Sequence, residues 1–355
     1  MEDELGSNQY HLACVGDESS PTPQNVARWL ESQPLQDFSI TADFGLGIDA
    51  ALGRLEDGDV DLIAVSASTW SQVKDVSRFT VAAALPRREE NHILVANDRI
   101  HKLEYKSVIL CKNKLQRRQL RRYRPDFRIL KPSAFADLIS RNAPENWGLE
   151  LQEWMEDLRS TKIITGYVTE RHLFTLGNID ARRHTLMTDS KEGSSRFIPS
   201  PFQGLTLLIS RPGFPPSIAT QIGDEESMTA WVCEDIIKKG LDCDLHDRVG
   251  VLVRYRQIPS LLNQADAEKD LLRSTSLLDS EGEIISEKSM VEMLIEVIDR
   301  KGGRTLLLER LSKKEDATIN ARIIVTDWNE MYQTVTDENE DDPRLGPARP
   351  PFLVE

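Results

Sequence analysis

Four arginines close together in the sequence are the residues whose type and spacing could most clearly do chemistry. They are Arg117, Arg118, Arg121 and Arg122, and their i,i+4 spacing places them on one broad face of a predicted helix. Guanidinium groups bind carboxylates and phosphates through paired hydrogen bonds, so this face could hold an anionic ligand. The alternative is a solvated face, or arginines that pair with acids elsewhere in a chain of net charge −14. The sequence leaves both interpretations open.

The cysteines and histidines do not follow a metal-binding pattern. The four cysteines include no Cys-x-x-Cys pair, and the six histidines show no metal-ligand spacing. This usage argues against a zinc site or a disulfide framework and is typical of a reducing compartment. We therefore predict no metal.

The overall charge and hydropathy limit the partners that the chain is expected to have. A net charge of −14 argues against nucleic acid, and no apolar run approaches the ~20 residues that span a bilayer. The N-terminus, Met1-Glu2-Asp3-Glu4, is acidic, whereas a secretory signal needs a basic start and an apolar stretch. We predict a cytoplasmic monomer with a small-molecule ligand and no membrane or nucleic-acid partner.

Strand and helix patterns alternate over the first two thirds of the chain. Continuous apolar runs at Asp61–Ser66 and Lys162–Val168 predict buried parallel strands. The amphipathic stretches Lys114–Tyr123 and Leu149–Leu158 predict helices that place the basic face on an α/β unit. This alternation predicts α/β domains with sheets covered by helices.

The pattern changes near Val249 and predicts a smaller α+β domain. Its expected elements are strands Val249–Tyr255, Leu271–Asp279 and Ile284–Ser286, followed by helix Met290–Arg300. Residues 331–355 are acidic and Pro-rich, so we predict a disordered tail there.

Several short segments, taken in order, resemble one known family. Asp61–Ser66 is similar to its DIAVHS strand and Phe197–Gly204 to its LPAPGQG crossing segment. Further similar segments are Ala82–Arg87, Leu115–Gln119 with Arg124–Asp126, and Leu271–Arg273 with Asp279–Gly282. On these segments the chain is identified as a divergent member of the porphobilinogen deaminase (hydroxymethylbilane synthase) family.

The resemblance implies a fold, a domain division and an activity. The expected fold is two type II periplasmic-binding-protein-like α/β domains followed by a smaller C-terminal α+β domain. The implied domains are 1–100 with 203–224, then 101–202, then 225–330, before the tail. The implied activity is the condensation of four porphobilinogen molecules into hydroxymethylbilane, a transferase step of tetrapyrrole and heme biosynthesis.

The resemblance also implies site residues. Arg117, Arg118, Gln203 and Ser20 are the expected substrate-binding positions, and Cys243 is the expected attachment point for a dipyrromethane cofactor. Acetate and propionate groups on each pyrrole would require such an arginine-lined cleft.

The sequence departs from the family pattern where the chemistry is done. Ser68 and Thr69 stand where the family has a Lys-Asp pair, and Asp75 is the displaced candidate for the catalytic acid. Glu18 stands where the family has an arginine that would hold an acetate, and a carboxylate there repels one. Two functions therefore stay open: a deaminase with rearranged acid–base groups, or a non-catalytic relative that binds a tetrapyrrole or another polycarboxylate in the cleft. A third and weaker interpretation is a periplasmic-type binding module for a different anion, against which the acidic N-terminus argues.

Overall fold

The computed structural model describes residues 8–32, 38–144, 148–188, 196–279, 281–285 and 289–337. The strands of these residues are β1 (Asn8–Val15), β2 (Phe38–Leu46), β3 (Leu62–Ser66), β4 (Thr80–Ala84), β5 (Ile93–Ala96), β6 (Val108–Cys111), β7 (Arg128–Leu130), β8 (Gly166–Thr169), β9 (Arg183–Thr185), β10 (Thr206–Ser210), β11 (Val249–Gln257), β12 (Ser289–Ile298) and β13 (Thr305–Ser312). The helices are α1 (Pro21–Ser32), α2 (Ile48–Asp57), α3 (Ala67–Trp70), α4 (Lys114–Tyr123), α5 (Pro132–Leu138), α6 (Leu149–Ser160), α7 (Arg171–Leu176), α8 (Pro216–Ile222), α9 (Glu225–Gly240), α10 (Ile258–Glu268), α11 (Leu271–Ser276) and α12 (Ala317–Asp337).

Two five-stranded sheets share one topology. The first has the order β2-β1-β3-β10-β4, and β10 runs antiparallel to both of its neighbours. The second has the order β7-β6-β8-β5-β9, in which β5 takes the equivalent antiparallel place. The chain thus leaves the first sheet after β4, builds the second, and returns through β10. This is the type II periplasmic-binding-protein arrangement, so the predicted fold class is confirmed.

Local sequence explains the elements that carry the cleft. In β3 the first four residues are buried, because helices cover both faces of a parallel sheet. Ser66 ends the strand, and its hydroxyl accepts a hydrogen bond from Thr69 N, which starts α3. Asn113 caps α4 in the same way by accepting from Gln116 N. Both helices therefore begin directly at the edge of a sheet.

The third sheet, β11-β12-β13, belongs to the C-terminal α+β part and shares a core with the first sheet. Phe202, next to β10, packs on Trp231 of α9 with ring centroids 4.9 Å apart. Trp328 of α12 is fully buried in the same apolar cluster. The second sheet, by contrast, contacts the C-terminal part through hydrogen bonds of polar side chains on α4. The predicted domain boundaries stay a prediction, and β5 of the second sheet (Ile93–Ala96) falls inside the range predicted for the first domain.

The C-terminal part contains wrong assignments from the sequence. Met290–Arg300, predicted to be a helix, forms the central strand β12, in which residues pointing to both faces are buried. Leu271–Asp279, predicted to be a strand, begins as the helix α11, capped by Asp270, which accepts from Arg273 N. Ile284 forms only an isolated bridge with Leu278, and Ser286 lies outside the described residues.

Several elements escaped the sequence reasoning or differ from it in length. Helices α8, α10 and α12 and strand β13 had not been predicted, and β8 is shorter than the run predicted around it. Helix α12 occupies 331–337 of the segment predicted as a disordered tail, and residues 338–355 lie outside those described.

Candidate functional site: the cleft between the two five-stranded sheets

Two adjoining cavities lie where the carboxyl-terminal edges of the two sheets face each other. Cavity 1 has a volume of about 380 Å³ and is lined mainly by the second sheet and its helices. Cavity 2 has a volume of about 260 Å³ and is lined mainly by the first sheet. Gln203 and Glu170 line both cavities, so the two spaces belong to one cleft. Ligands bind at this edge of open α/β sheets because the strands end there and loops supply polar groups.

The walls of cavity 2 are rich in uncharged hydrogen-bonding groups. Ser66, Ser68 and Thr69 lie at the start of α3, where the Ser66 hydroxyl contacts the Ser68 hydroxyl at 3.1 Å and the Thr69 hydroxyl at 2.8 Å. Asn25 Nδ2 donates to Thr206 Oγ1 at 3.3 Å across the wall. Hydroxyls thus stand where the resemblance expects a Lys-Asp pair. They offer donors and acceptors, but no charge.

The charges that line cavity 1 balance among the described residues. Lys114 Nζ is 2.6 Å from Asp247 Oδ2. Burial raises the pKa of Asp247, but the hydrogen bond and charge of Lys114 outweigh it, so the net pKa is lowered and the Asp247 carboxylate stays ionised at neutral pH. Burial lowers the pKa of Lys112, and the charge of Glu170 opposes that change. Two cationic and two anionic side chains give a wall suited to a neutral or zwitterionic molecule.

A histidine and carboxylate cluster lies between the cavities. Glu170 Oε2 is 3.3 Å from His172 Nδ1, and Glu170 Oε1 is 4.0 Å from His92 Nε2. Burial lowers the pKa of His92, the charge of Glu170 opposes this, and the charge of His172 adds to it. His92 therefore stays a neutral imidazole in the cleft wall. His172 Nε2 lies 2.9 Å from the carbonyl oxygen of Ser19, on the opposite sheet's loop.

The two segments that cross between the sheets are held by one buried carboxylate. Glu234 of α9 is 0% exposed and accepts from Arg87 Nη1 at 2.6 Å, from Phe202 N at 2.6 Å and from Val253 N at 3.0 Å. Arg87 belongs to the crossing segment that follows β4, and Phe202 belongs to the one that precedes β10. Arg87 Nε also donates to the carbonyl of Gln203. The backbone of Gln203 is thereby fixed, while its side-chain amide makes no hydrogen bond to the described part of the chain.

The arginines of α4 lie away from the cavities. Arg118 is 4% exposed and donates to the carbonyl of Ile298 at 2.6 Å, at the end of β12. Arg122 pairs with the Glu296 carboxylate, which is fully buried. Arg117 donates to the carbonyls of Cys111 and Lys112 at the start of its own helix.

Of the predicted substrate-binding residues, Ser20 and Gln203 line the cleft, while Arg117 and Arg118 are not among the residues that line its two cavities. Their proposed role in ligand binding stays a prediction. The basic helix instead ties the second sheet to the third part of the chain, the pairing alternative that the sequence had left open.

Asp75 and Cys243 also lie outside the two cavities. Asp75 is exposed, accepts from Ser77 Oγ at 2.9 Å and lines a separate surface groove with Arg78. Cys243 is exposed, and Asp242, Cys243 and Asp244 bring their ligand atoms within 4.8 Å of one another. Exposed acidic groups commonly cluster in this way without a ligand. The catalytic and cofactor roles of these residues stay predictions.

The sequence reasoning missed the residues at the centre of the cleft, namely Lys112, His92, Glu170 and His172. The position of Glu170 directly after a buried run could have indicated it, because the carboxyl ends of parallel strands meet at one edge. His172 could not be found this way, since its partner Ser19 is 153 residues away.

Comparisons with known proteins show similarity at the level of fold. No family model and no curated protein matches the chain. Similar solved structures include the ligand-binding component of an ABC-type import system from Staphylococcus aureus with zinc bound, at 14% identity, covering 66% of this chain and 74% of that chain, with a TM-score of 0.30. A periplasmic substrate-binding protein of an ABC transporter from Coxiella burnetii has 9% identity, coverage of 60% and 91%, and a TM-score of 0.33. Lipoprotein Tp32 from Treponema pallidum has 8% identity, coverage of 61% and 89%, and a TM-score of 0.32.

These comparisons correct three predictions. Membership of the porphobilinogen deaminase family is wrong, since no family model matches and the similar structures are named as binding proteins and lipoproteins. The predicted role in heme and tetrapyrrole biosynthesis is therefore wrong as well. The short matches had followed buried strands and turns such as Asp61–Ser66, which the shared type II fold demands for packing reasons. The cytoplasmic location is also contradicted, because these neighbours include a periplasmic protein and a lipoprotein. No described helix is long and apolar enough to cross a membrane.

Proposed function

We propose that the chain is a non-catalytic protein that binds a small polar molecule, neutral or zwitterionic, in the cleft between its two five-stranded sheets. The observation that carries this proposal is the pair of adjoining cavities that meet at Gln203 and Glu170. Their volumes, about 380 and 260 Å³, suit a ligand of the size of an amino acid or a sugar.

The chemistry of the walls supports this ligand class. Hydroxyl and amide groups of Ser68, Thr69 and Gln203 can each donate and accept hydrogen bonds. The cationic Lys114 is matched by Asp247, so cavity 1 has no excess positive charge to attract a polycarboxylate. The arginines that could have attracted one are engaged at the other end of α4 and at the third sheet.

Gln203 is the residue on which to test the proposal. Its backbone is fixed by hydrogen bonds to Ser200 and Arg87, so replacing its side chain leaves the wall in place. A ligand that spans both cavities contacts its amide, and losing one hydrogen bond to a neutral group weakens binding by about 0.5–1.5 kcal/mol. Gln221, an exposed glutamine on α8, is the matched control position.

The experiment is a thermal-shift screen followed by calorimetry with amino acids, neutral sugars, and di- and tricarboxylates as probes. We expect an amino acid or a sugar to stabilise the wild-type protein, with affinity reduced about threefold to tenfold in Gln203→Ala and unchanged in Gln221→Ala. Binding of carboxylates alone, binding unaffected by Gln203→Ala, or no stabilisation by any probe would each overturn the proposal.

A further inference from the structure

The carboxylate of Glu170 lies where the two cavities meet and receives no hydrogen bond from the described residues. Glu170 is the N-cap of α7, yet its side chain makes no capping hydrogen bond. The side chain is 38% exposed, so a molecule in the cleft can reach it. Both oxygens of a carboxylate can only accept hydrogen bonds. Glu170 therefore presents unused acceptors to whatever binds between the sheets.

The histidines beside Glu170 add acceptors to the site instead of donors. His172 Nε2 lies 2.9 Å from the carbonyl oxygen of Ser19, and because a carbonyl can only accept, Nε2 carries the ring proton. In the neutral imidazole Nδ1 is then an acceptor, and it lies 3.3 Å from Glu170 Oε2. His92 Nε2 is 4.0 Å from Glu170 Oε1, which is beyond hydrogen-bond distance. The lone pairs of Nδ1 and of the carboxylate face each other, and a cationic donor placed beside both would stabilise this arrangement.

A primary ammonium group fits these acceptors better than a metal ion does. Ligand atoms that share a metal ion at about 2.0–2.2 Å lie about 3–3.5 Å from one another. Acceptors that share an ammonium lie about 4–5 Å apart, because its hydrogen bonds are about 2.7–3.2 Å long. The exposed loop of Cys243 is the one place among the described residues where three possible metal ligands come within 4.8 Å of one another. The three side chains of His92, Glu170 and His172 are therefore too widely spaced to hold a metal together.

The walls around Glu170 can hold the rest of an amino acid. An ammonium has three N–H groups, so two can bind Glu170 and His172 Nδ1 while the third is left for cavity 2. Ser68 and Gln203 line that cavity and offer oxygen acceptors. In cavity 1, Lys112 lies close enough to Glu170 for their charges to interact, and its ammonium can attract a carboxylate. Each charge of a zwitterion then meets the opposite charge on the wall.

We propose that Glu170 and His172 form a subsite for a primary ammonium group, so that the cleft binds an amino acid as its zwitterion in preference to a neutral sugar. This inference rests on the proposed function and narrows its ligand class. Glu170 supplies the negative charge, and His172 supplies an uncharged acceptor whose direction is fixed by the hydrogen bond to Ser19. A sugar offers hydroxyl groups to the same atoms but has no positive charge for the carboxylate.

The subsite is tested on the wild-type protein by calorimetry with pairs of probes that differ only at the ammonium. The common L-amino acids, D-glucose and D-galactose are screened first. The amino acid that binds most tightly is then compared with its 2-hydroxy acid, in which a hydroxyl replaces the ammonium, as L-lactate does for L-alanine. We expect the hydroxy acid to bind about tenfold to hundredfold more weakly, the size of a hydrogen bond between charged groups.

A charge-removing variant assigns the effect to Glu170. Glu170→Gln keeps the shape of the side chain but loses its charge, so the amino acid should bind about tenfold to hundredfold more weakly than to wild type. Glu153→Gln is the matched control, because Glu153 is exposed on α6 and lines neither cavity, and it should bind the amino acid as wild type does. Titration with zinc chloride, and amino-acid binding in the presence of EDTA, check whether a metal takes part. If Glu170→Gln fails to fold, the comparison of amino acid and hydroxy acid on wild type still decides the proposal.

Several results would overturn the ammonium subsite and leave the proposed function standing. These are binding of sugars without any amino acid, a hydroxy acid that binds as tightly as its amino acid, or amino-acid binding that is unchanged in Glu170→Gln. Zinc binding that disappears in Glu170→Gln, or amino-acid binding that EDTA abolishes, would overturn it in favour of a metal site. A screen in which no amino acid and no sugar binds contradicts both the subsite and the proposed function.

Discussion

Replacing Arg122 with methionine tests whether the basic helix joins two parts of the fold. Arg122 donates to the Glu296 carboxylate and to the carbonyl of Arg196, and Glu296 is fully buried. Without the guanidinium, Glu296 keeps the hydrogen bond from Gln119 Nε2 at 3.0 Å. Removing one partner of a buried ion pair costs about 3–5 kcal/mol, because an uncompensated charge stays behind. We expect the free energy of unfolding of Arg122→Met, measured by urea denaturation at neutral pH, to fall by about this amount.

The same variant makes a prediction about pH. Burial raises the pKa of Glu296, and the charge of Arg122 opposes that change. Without Arg122 the pKa rises further, so the folded protein takes up a proton more readily than the unfolded chain. Stability then increases as pH falls. Since each pKa unit corresponds to about 1.4 kcal/mol, the deficit of the variant relative to wild type should shrink by about 1–2 kcal/mol between about pH 7 and about pH 5.

The control for this experiment is Arg128→Met. Arg128 is exposed on β7, and its guanidinium makes no hydrogen bond or ion pair with the described residues, so its replacement should change stability by less than about 0.5 kcal/mol. The double variant Arg122→Met with Glu296→Met should recover part of the loss, because an apolar pair leaves no buried charge. Equal losses in Arg122→Met and Arg128→Met, or a deficit of Arg122→Met that is the same at both pH values, would refute the reasoning.

Three further predictions concern the crossing segments and the thiols. Glu234→Gln should lower the free energy of unfolding in urea by about 3 kcal/mol, because three donors lose a buried carboxylate, whereas Asp235→Asn should cost less than about 1 kcal/mol. Gly204→Ala should lower the melting temperature much more than Gly213→Ala: both have positive φ, but a Cβ at Gly204 lies 2.2 Å from a backbone carbonyl oxygen and one at Gly213 meets nothing within 4 Å. Alkylation of the native protein should add one label per chain, at Cys243, because burial raises the pKa of the other thiols to about 12; more labels by intact mass would contradict this.

Local sequence patterns were sufficient to predict much of the two α/β units. The apolar run at Asp61–Ser66 and the amphipathic stretch at Lys114–Tyr123 became β3 and α4, because a parallel strand is buried on both faces and a surface helix on one. The same rule failed at Met290–Arg300. The spacing of Glu292 and Glu296 is typical of the polar face of a helix. In the structure both glutamates are buried on a central strand, where each forms an ion pair with an arginine.

The candidate site, like the fold, could be predicted from the sequence only in part. The resemblance had placed Ser20 and Gln203 in a cleft, and both line cavity 2, whereas the sequence by itself determined that positions 68 and 69 carry hydroxyls and no charge. Only the tertiary structure decided the roles of the charged residues. Arg122 meets Glu296 across 174 residues of sequence, and His172 meets Ser19 across 153. The partner of a charged side chain sets its protonation and its freedom to bind a ligand, and that partner is chosen by the packing of the sheets, not by its neighbours in the chain.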